Sequence, residues 1–394
     1  MEREPPVRLG LIGLGYWGPN LLRAAADLED VELAAICDLD PERLAMQRRR
    51  NPYLKLTTDV DDLLQEDSLD GVLIASPAET HHELALRCLK GGKHVFVEKP
   101  MAQTTEQCLD LIGCAAEREL ILMPGHTFLY SPPVVAIKEI LDRQDLGPIY
   151  FVTSTRVNLG IHRANSNVVQ DLAPHDFSIL QYWMGTPLFV RAIGRDSIVR
   201  SEWDVVFVDL GYPTGTLVRV ELSWLAPSKI RRTVIAGRNA MLVYEDTSPE
   251  PIRIHDCSAE VVDGATIGAH RVSYRTGDIL SPRLSAEEPL RAELADFAAS
   301  IRTGEPPRSD MRLGMEVVRM VEAAELSLHR SGSAVPLNLP PGEQRMTPDR
   351  RRSNHGMPWF DGPTTLAQPA ARREPGMDES PAAQRSGEED PQPA

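Results

Sequence analysis

Residues 7–18 read Val7-Arg8-Leu9-Gly10-Leu11-Ile12-Gly13-Leu14-Gly15-Tyr16-Trp17-Gly18. The run 7–12 is short, apolar and followed by glycines, the pattern of a strand buried in a parallel sheet. Residues 20–28 then show helical spacing, so the GxGxxG of 13–18 lies between a strand and a helix. That context gives the motif its meaning. Gly13 makes the tight turn, Gly15 lets the backbone approach a pyrophosphate, and Gly18 lets helix and strand pack closely. The helix N-terminus offers amide donors and a positive dipole to the phosphates. Tyr16 and Trp17 occupy the variable positions and are expected beside the same ligand. Asp38 lies twenty residues past Gly18, at the end of a second strand. An acid there accepts the adenosine ribose hydroxyls and repels a 2'-phosphate, which favours NAD over NADP. The competing reading is an Asp that merely starts the turn Asp38-Leu39-Asp40-Pro41.

Strands at 7–12, 31–37, 71–75, 94–97 and 120–123 alternate with helices at 20–28, after Pro41, at 79–91 and at 104–117. Such alternation implies βαβ units with right-handed crossovers, a doubly wound parallel sheet of Rossmann type over residues 1–124. After Pro124 the pattern changes. A helix at 133–142, a strand at 148–157, a polar loop at 158–167 and a helix ending near Met184 precede a series of β-branched runs: 189–192, 205–211, 216–225, 232–236 and 241–244. Turn signals such as Tyr212-Pro213-Thr214-Gly215 separate them. Two amphipathic helices follow, at 286–303 and 312–329. Residues 125–335 thus read as a second α/β domain with a largely antiparallel, open-faced sheet, for substrate binding and oligomerisation. Runs 205–210 and 217–222 are apolar on both faces, which points to a homodimer or homotetramer through that sheet. From 336 the composition turns to Pro, Gly, Arg, Glu and Gln, too poor in aliphatics to offset its ordering entropy, so 336–394 is expected to be a disordered tail.

The 394 residues and 42% hydrophobic content suffice for two cores. A formal net charge of −15 argues against a nucleic-acid partner, because phosphate neutralisation needs a basic face. No apolar run is long enough to span a bilayer, and Met1-Glu2-Arg3-Glu4-Pro5-Pro6 lacks a signal-peptide core. Five cysteines without a CxxC read as reduced thiols in a cytoplasmic protein. No metal is expected, since the histidines lack a ligand spacing such as HExxH.

Two further constellations could carry chemistry. Glu98-Lys99-Pro100 directly follows the fourth strand, where ligands of parallel sheets sit. There Lys99 is either a surface lysine in a turn or a donor to a substrate hydroxyl near the nicotinamide. In Asp171-Leu172-Ala173-Pro174-His175-Asp176, a helix would put Asp171 and His175 on one face. They are a capping acid and a packed histidine, or a base that takes a carbinol proton with a carboxylate beside it.

In these residues the chain resembles the Gfo/Idh/MocA family of oxidoreductases (glucose–fructose oxidoreductase, inositol dehydrogenase and rhizopine catabolism). The resemblance runs through the glycine loop, Asp38, Ser76-Pro77-Ala78-Glu79-Thr80-His81, Gly91-Gly92-Lys93-His94-Val95, Glu98-Lys99-Pro100, Asp171 and His175, over roughly residues 7–330 in order and spacing. It implies Lys99, His175 and Asp171 as catalytic residues. It adds Ser76, Pro77, His81 and Glu98 to the cofactor groove and suggests His126, Arg156, Asn158 and Arg163 on the substrate side. Where many relatives have Gly two residues before the histidine, this chain has Ala173 and then Pro174, as in a subgroup some of whose members act on nucleotide-linked sugars. The resemblance implies hydride transfer between a nicotinamide and a carbinol or ketone of a sugar, cyclitol or nucleotide-linked sugar. The alternative is a non-catalytic, dinucleotide-sensing regulator on the same fold. A pure sensor needs neither Lys99 nor His175.

Overall fold

In a computed structural model of the chain, residues 5–160, 166–200, 202–262 and 271–337 are described. The first sheet grows from βαβ units. Its elements are β1 (Val7–Ile12), α1 (Gly18–Ala26), β2 (Val31–Cys37), α2 (Pro41–Arg50), β3 (Lys55–Thr57), α3 (Val60–Leu64), β4 (Gly71–Ile74), α4 (His81–Lys90), β5 (His94–Glu98), α5 (Thr105–Glu117) and β6 (Leu122–Gly125). The strand order is β3-β2-β1-β4-β5-β6, with every neighbouring pair parallel. The order reverses between β1 and β4, the point at which sheets of this kind bind ligands outside the carboxyl ends of their strands. The β1 and β4 runs are buried almost throughout, as a sheet covered on both faces requires. The short pair β3 and α3 is not legible in the sequence, because three residues give no periodicity to read.

The chain continues through α6 (Pro132–Asp142), β7 (Ile149–Leu159), α7 (Val168–Met184), β8 (Phe189–Arg195), β9 (Val205–Gly211), β10 (Leu217–Ser223), β11 (Leu225–Gly237), β12 (Met241–Glu245), β13 (Ile252–Val262), β14 (Arg271–Leu280), α8 (Pro289–Thr303), α9 (Met311–His329) and β15 (Val335–Pro336). The second sheet runs β14-β13-β12-β11-β7-β10-β9-β8-β15. Only β7 and β10 pair in parallel among its described strands. On its covered face Val152, Val206, Val208, Leu210, Val218, Val220 and Leu222 pack with Phe177 and Leu180 of α7 and with Val317 and Met320 of α9. The edge hairpin β13–β14 is absent from the sequence reading. Its strands alternate apolar residues with charged and small ones and leave most of β14 exposed, so no buried stripe marks them.

α7 begins with a capping box. The Asn167 side chain accepts from the N–H groups of Val169 and Gln170, and Gln170 returns a bond to the Asn167 N–H. This fixes where the turn carrying Asp171 and His175 starts. α8, late in the sequence, packs on the first sheet: Phe297 meets Phe96 of β5 edge to face at 5.9 Å. Full burial of one such ring contributes about 1.5–3 kcal/mol. No helix among the described residues is long and apolar enough to cross a membrane. The proposed tail falls outside the described residues from 338 onward.

Candidate active site

The glycine loop meets the requirements of a phosphate cradle, position by position. Gly13 has φ +98°, and a Cβ there would lie 2.7 Å from the Ala75 carbonyl oxygen. A Cβ on Gly18 would lie 2.1 Å from the Gly13 oxygen, so α1 can start only with glycine at this point. A Cβ on Gly15 would meet nothing within 4 Å. Gly13 and Gly18 are thus demanded by the fold, whereas Gly15 borders open space just before α1. Asp38, at the end of β2, is buried. Its carboxylate accepts from the Leu14 and Asp40 N–H groups, tying the end of β2 to the glycine loop. Arg43 reaches it at 3.8 Å. Tyr16 stands almost fully in solvent, stacked with the partly buried Trp17. Ser76 follows β4, its hydroxyl 2.7 Å from that of Thr80, and Pro77 is exposed beside it. These residues fit a dinucleotide lying across the crevice.

His81 joins two loops of this edge. One ring nitrogen is 3.0 Å from the Ser76 carbonyl oxygen and the other 2.7 Å from that of Pro100. The ring is buried, and burial pushes its pKa below the usual value. Its bonds go to main chain, so it holds the Ser76 and Pro100 segments in place.

Glu98 is the last residue of β5, with its register partner Gly125 at the end of β6. Lys99 leaves the sheet there. Its ammonium donates to the Asp171 carbonyl oxygen at 3.4 Å, which brings it to the first turn of α7. The Asp171 carboxylate accepts from the Trp224 indole at 3.1 Å. One turn further along α7 is His175, half-buried, its ring edge-to-face with Phe128 at 5.2 Å. Burial pushes the His175 pKa well below 6.5, and the nearby cations Lys99, Arg156 and Arg231 push it further, with His126 adding to the effect. The imidazole is therefore neutral near pH 7.

Behind Phe128 lies a charged network of which the sequence reading singles out Arg156 but not Asp176, Arg231 or Asp246. Arg156 of β7 and Arg231 of β11 are directly opposed across the strands, and both guanidiniums pack on the Phe128 ring, at 4.9 and 5.5 Å. Arg156 is buried and paired through Nε with Asp176, which also accepts from Ser154 at 2.7 Å. Arg231 pairs with Asp246 at 3.1 Å. His126 is buried after β6, and both ring nitrogens lack a hydrogen-bond partner among the described residues. Burial beside Lys99 pushes its pKa down to about 3. Asn158 sits half-buried near the end of β7. Arg163 lies outside the described residues.

The fold and this cleft define the class: a dinucleotide-binding oxidoreductase whose second domain faces the cofactor edge. Residues 7–126 match the family described as "Oxidoreductase family, NAD-binding Rossmann fold", and residues 134–243 match the "GFO/IDH/MocA C-terminal domain". The chain belongs to the Gfo/Idh/MocA family. It is 25% identical over 345 residues to the myo-inositol 2-dehydrogenase of Thermotoga maritima, covering 83% of this chain and 98% of that enzyme. It is 28% identical over 225 residues to inositol 2-dehydrogenase 2 of Saccharopolyspora erythraea, a match spanning 55% of this chain and 66% of that one. Among solved structures it resembles the UDP-N-acetylglucosamine 3-dehydrogenase GnnA of Acidithiobacillus ferrooxidans, with a TM-score of 0.68 and 25% identity over 82% of this chain and 98% of that one.

Proposed function

We propose that this chain is an NAD-dependent dehydrogenase of a sugar, cyclitol or nucleotide-linked sugar, with Lys99, His175 and Asp171 as its catalytic group. The observation that carries the reading is the convergence of Lys99, from the cofactor-domain edge, on the turn of α7 that holds His175. Gly13, Gly15, Gly18, Tyr16, Trp17, Asp38, Ser76, Pro77, Glu98 and Lys99 would hold the dinucleotide, with His81 fixing the loops. Asp38 favours NAD, because a buried carboxylate at the ribose repels a 2'-phosphate. When bound, the nicotinamide supplies the hydride acceptor. The neutral His175 imidazole takes the carbinol proton as hydride leaves, and Lys99 donates to the same oxygen and stabilises its alkoxide character. Asp171, steered by Trp224, positions the substrate. His126, Arg156 and Asn158 shape the substrate side, Arg156 by holding Phe128 against His175.

The relatives named for inositol and UDP-N-acetylglucosamine motivate the substrate class. Purified protein is incubated with NAD and, in turn, cyclitols, free sugars and UDP-sugars, and NADH absorbance is followed. Turnover of at least one of these classes is expected. Absence of NADH with all of them would remove the substrate assignment.

Self-association through the second sheet is part of the reading. Its uncovered face carries Phe151, Ile193, Phe207, Leu217 and Ile230, all exposed. A row of apolar side chains on one sheet face favours a second copy as its cover. Five free cysteines, four of them buried, favour the cytoplasm.

A further inference from the structure

Two carboxyl groups lie beside the Lys99 segment and have no proton role in the chemistry above, although Glu98 is among the residues that would hold the cofactor. Glu98 ends β5, and its carboxyl packs over Gly125, where a Cβ would lie 3.2 Å from Oε2. Glu293 reaches the same segment from α8. It is fully buried, and its Oε2 accepts from the Thr127 hydroxyl at 2.7 Å. Both groups therefore sit against residues 125–127. On each, the Oε1 atom is shielded from solvent and has no hydrogen-bond partner among the described residues. Between Gly125 and Thr127 lies His126, buried with both ring nitrogens in the same condition. A carboxylate with an unpaired oxygen in a dry site is costly, and two neighbouring ones cannot both ionise cheaply.

We propose that Glu98 and Glu293 form a buried, electrostatically coupled carboxyl pair beneath the nicotinamide end of the groove, and that the pair's proton content follows the charge of the bound nicotinamide. The proposal rests on the cofactor orientation given above. The charged and titratable groups facing the pair are Lys99 beside Glu98, His126 on the connecting segment and Asp296 one turn along α8 from Glu293. Burial raises Glu98 to about 8, with Lys99 and Trp17 offsetting only part of the effect. Burial and then Glu98 itself push Glu293 well above the usual carboxylate range. In the free protein near pH 7 the pair thus holds its protons. A cationic nicotinamide placed against it favours the carboxylate, so one O–H bond of the pair breaks and the proton leaves to solvent. Reduction removes that positive charge. In oxidation of a carbinol, a hydride carrying both electrons of the C–H bond would pass to the nicotinamide, and the hydroxyl proton would leave through His175. The pair then takes up one proton, so the site returns toward its protonated state before the reduced cofactor departs.

Calorimetric titration of the whole chain with NAD and with NADH near pH 7, in two buffers of different ionisation enthalpy, counts the protons directly. NAD binding is expected to release close to one proton per site, and NADH binding distinctly less. Glu98→Gln should abolish the difference. Glu293→Gln, which keeps an acceptor for Thr127 and is as uncharged as the protonated acid, should retain it, because Glu98 is the member that releases the proton. Equal proton counts for the two nucleotides in the wild type, or an unchanged difference in Glu98→Gln, would overturn the pair while leaving the cofactor site intact. Failure of either nucleotide to bind at all would overturn the cofactor reading and the pair with it.

Discussion

The Lys99 ammonium donates to the main-chain carbonyl of Asp171, one helical turn before His175. This contact joins two positions 72 residues apart and brings Lys99 to the turn of α7 that holds His175. Main chain, not a side chain, receives the bond. The Asp171 carboxylate is left to Trp224 and the substrate side.

The glycine loop separates packing from ligand space. Gly18→Ala would drive a methyl group into the Gly13 carbonyl oxygen and should lower the melting temperature and nucleotide affinity together. Gly15→Ala meets no protein atom within 4 Å. It should leave the melting temperature of the free protein unchanged while weakening NAD binding at least tenfold. Calorimetry of both variants with and without NAD checks this.

Asp38→Ala should narrow or invert the preference for NAD over NADP. It removes the ribose acceptors and their charge and leaves Arg43, now 3.8 Å from that carboxylate, facing the position of a 2'-phosphate. Dissociation constants for both nucleotides, measured on wild type and variant, read the change. An unaltered ratio would mean that Asp38 only braces the loop.

Asp176→Asn should destabilise the protein by about 3–5 kcal/mol, because it leaves the buried Arg156 guanidinium uncompensated. Urea unfolding of the two proteins measures the difference. Arg156→Met with Asp176→Leu together should recover much of the loss, since a matched apolar pair carries no orphaned charge.

The pH dependence has a definite sign. In the proposed mechanism His175 acts as base in its neutral form, and burial followed by Lys99, Arg156 and Arg231 holds its pKa well below 6.5. For carbinol oxidation, the acid limb of kcat/KM should therefore fall below pH 6.5. Arg231→Met removes one of these cations and leaves Asp246 behind, so both effects raise the His175 pKa and move the limb upward. A limb well above 7 in the wild type would identify Lys99 as the base.

The first sheet was legible because its requirements are local. A buried strand, three glycines and Asp38 each declare themselves within a few residues, and the structure explains Gly13 and Gly18 by contacts shorter than a Cβ tolerates. Lys99 and His175 were ambiguous on spacing alone, and only the family resemblance singled them out. The surroundings that tune His175 were legible only in part: the resemblance suggests Arg156 and His126, but not Phe128, Arg231 or Trp224. These three lie after β6, in β11 and at the bend between β10 and β11, and nothing in the local pattern of any of them marks a site. Glu293 is further still, since its contact with Thr127 spans 166 positions. In sequence it reads as one more acid on an amphipathic helix, and only the return of α8 to the first sheet buries it.

The central claim is that His175 accepts the carbinol proton at a site where Lys99 polarises the same oxygen. Its most direct test is steady-state turnover of His175→Asn on the best substrate of the screen, alongside NAD affinity. The expected result is a loss of kcat of roughly a hundredfold or more with NAD affinity nearly unchanged, because loss of a general base falls on the chemical step. Near-wild-type kcat in His175→Asn, with turnover abolished by Lys99→Met, would contradict it.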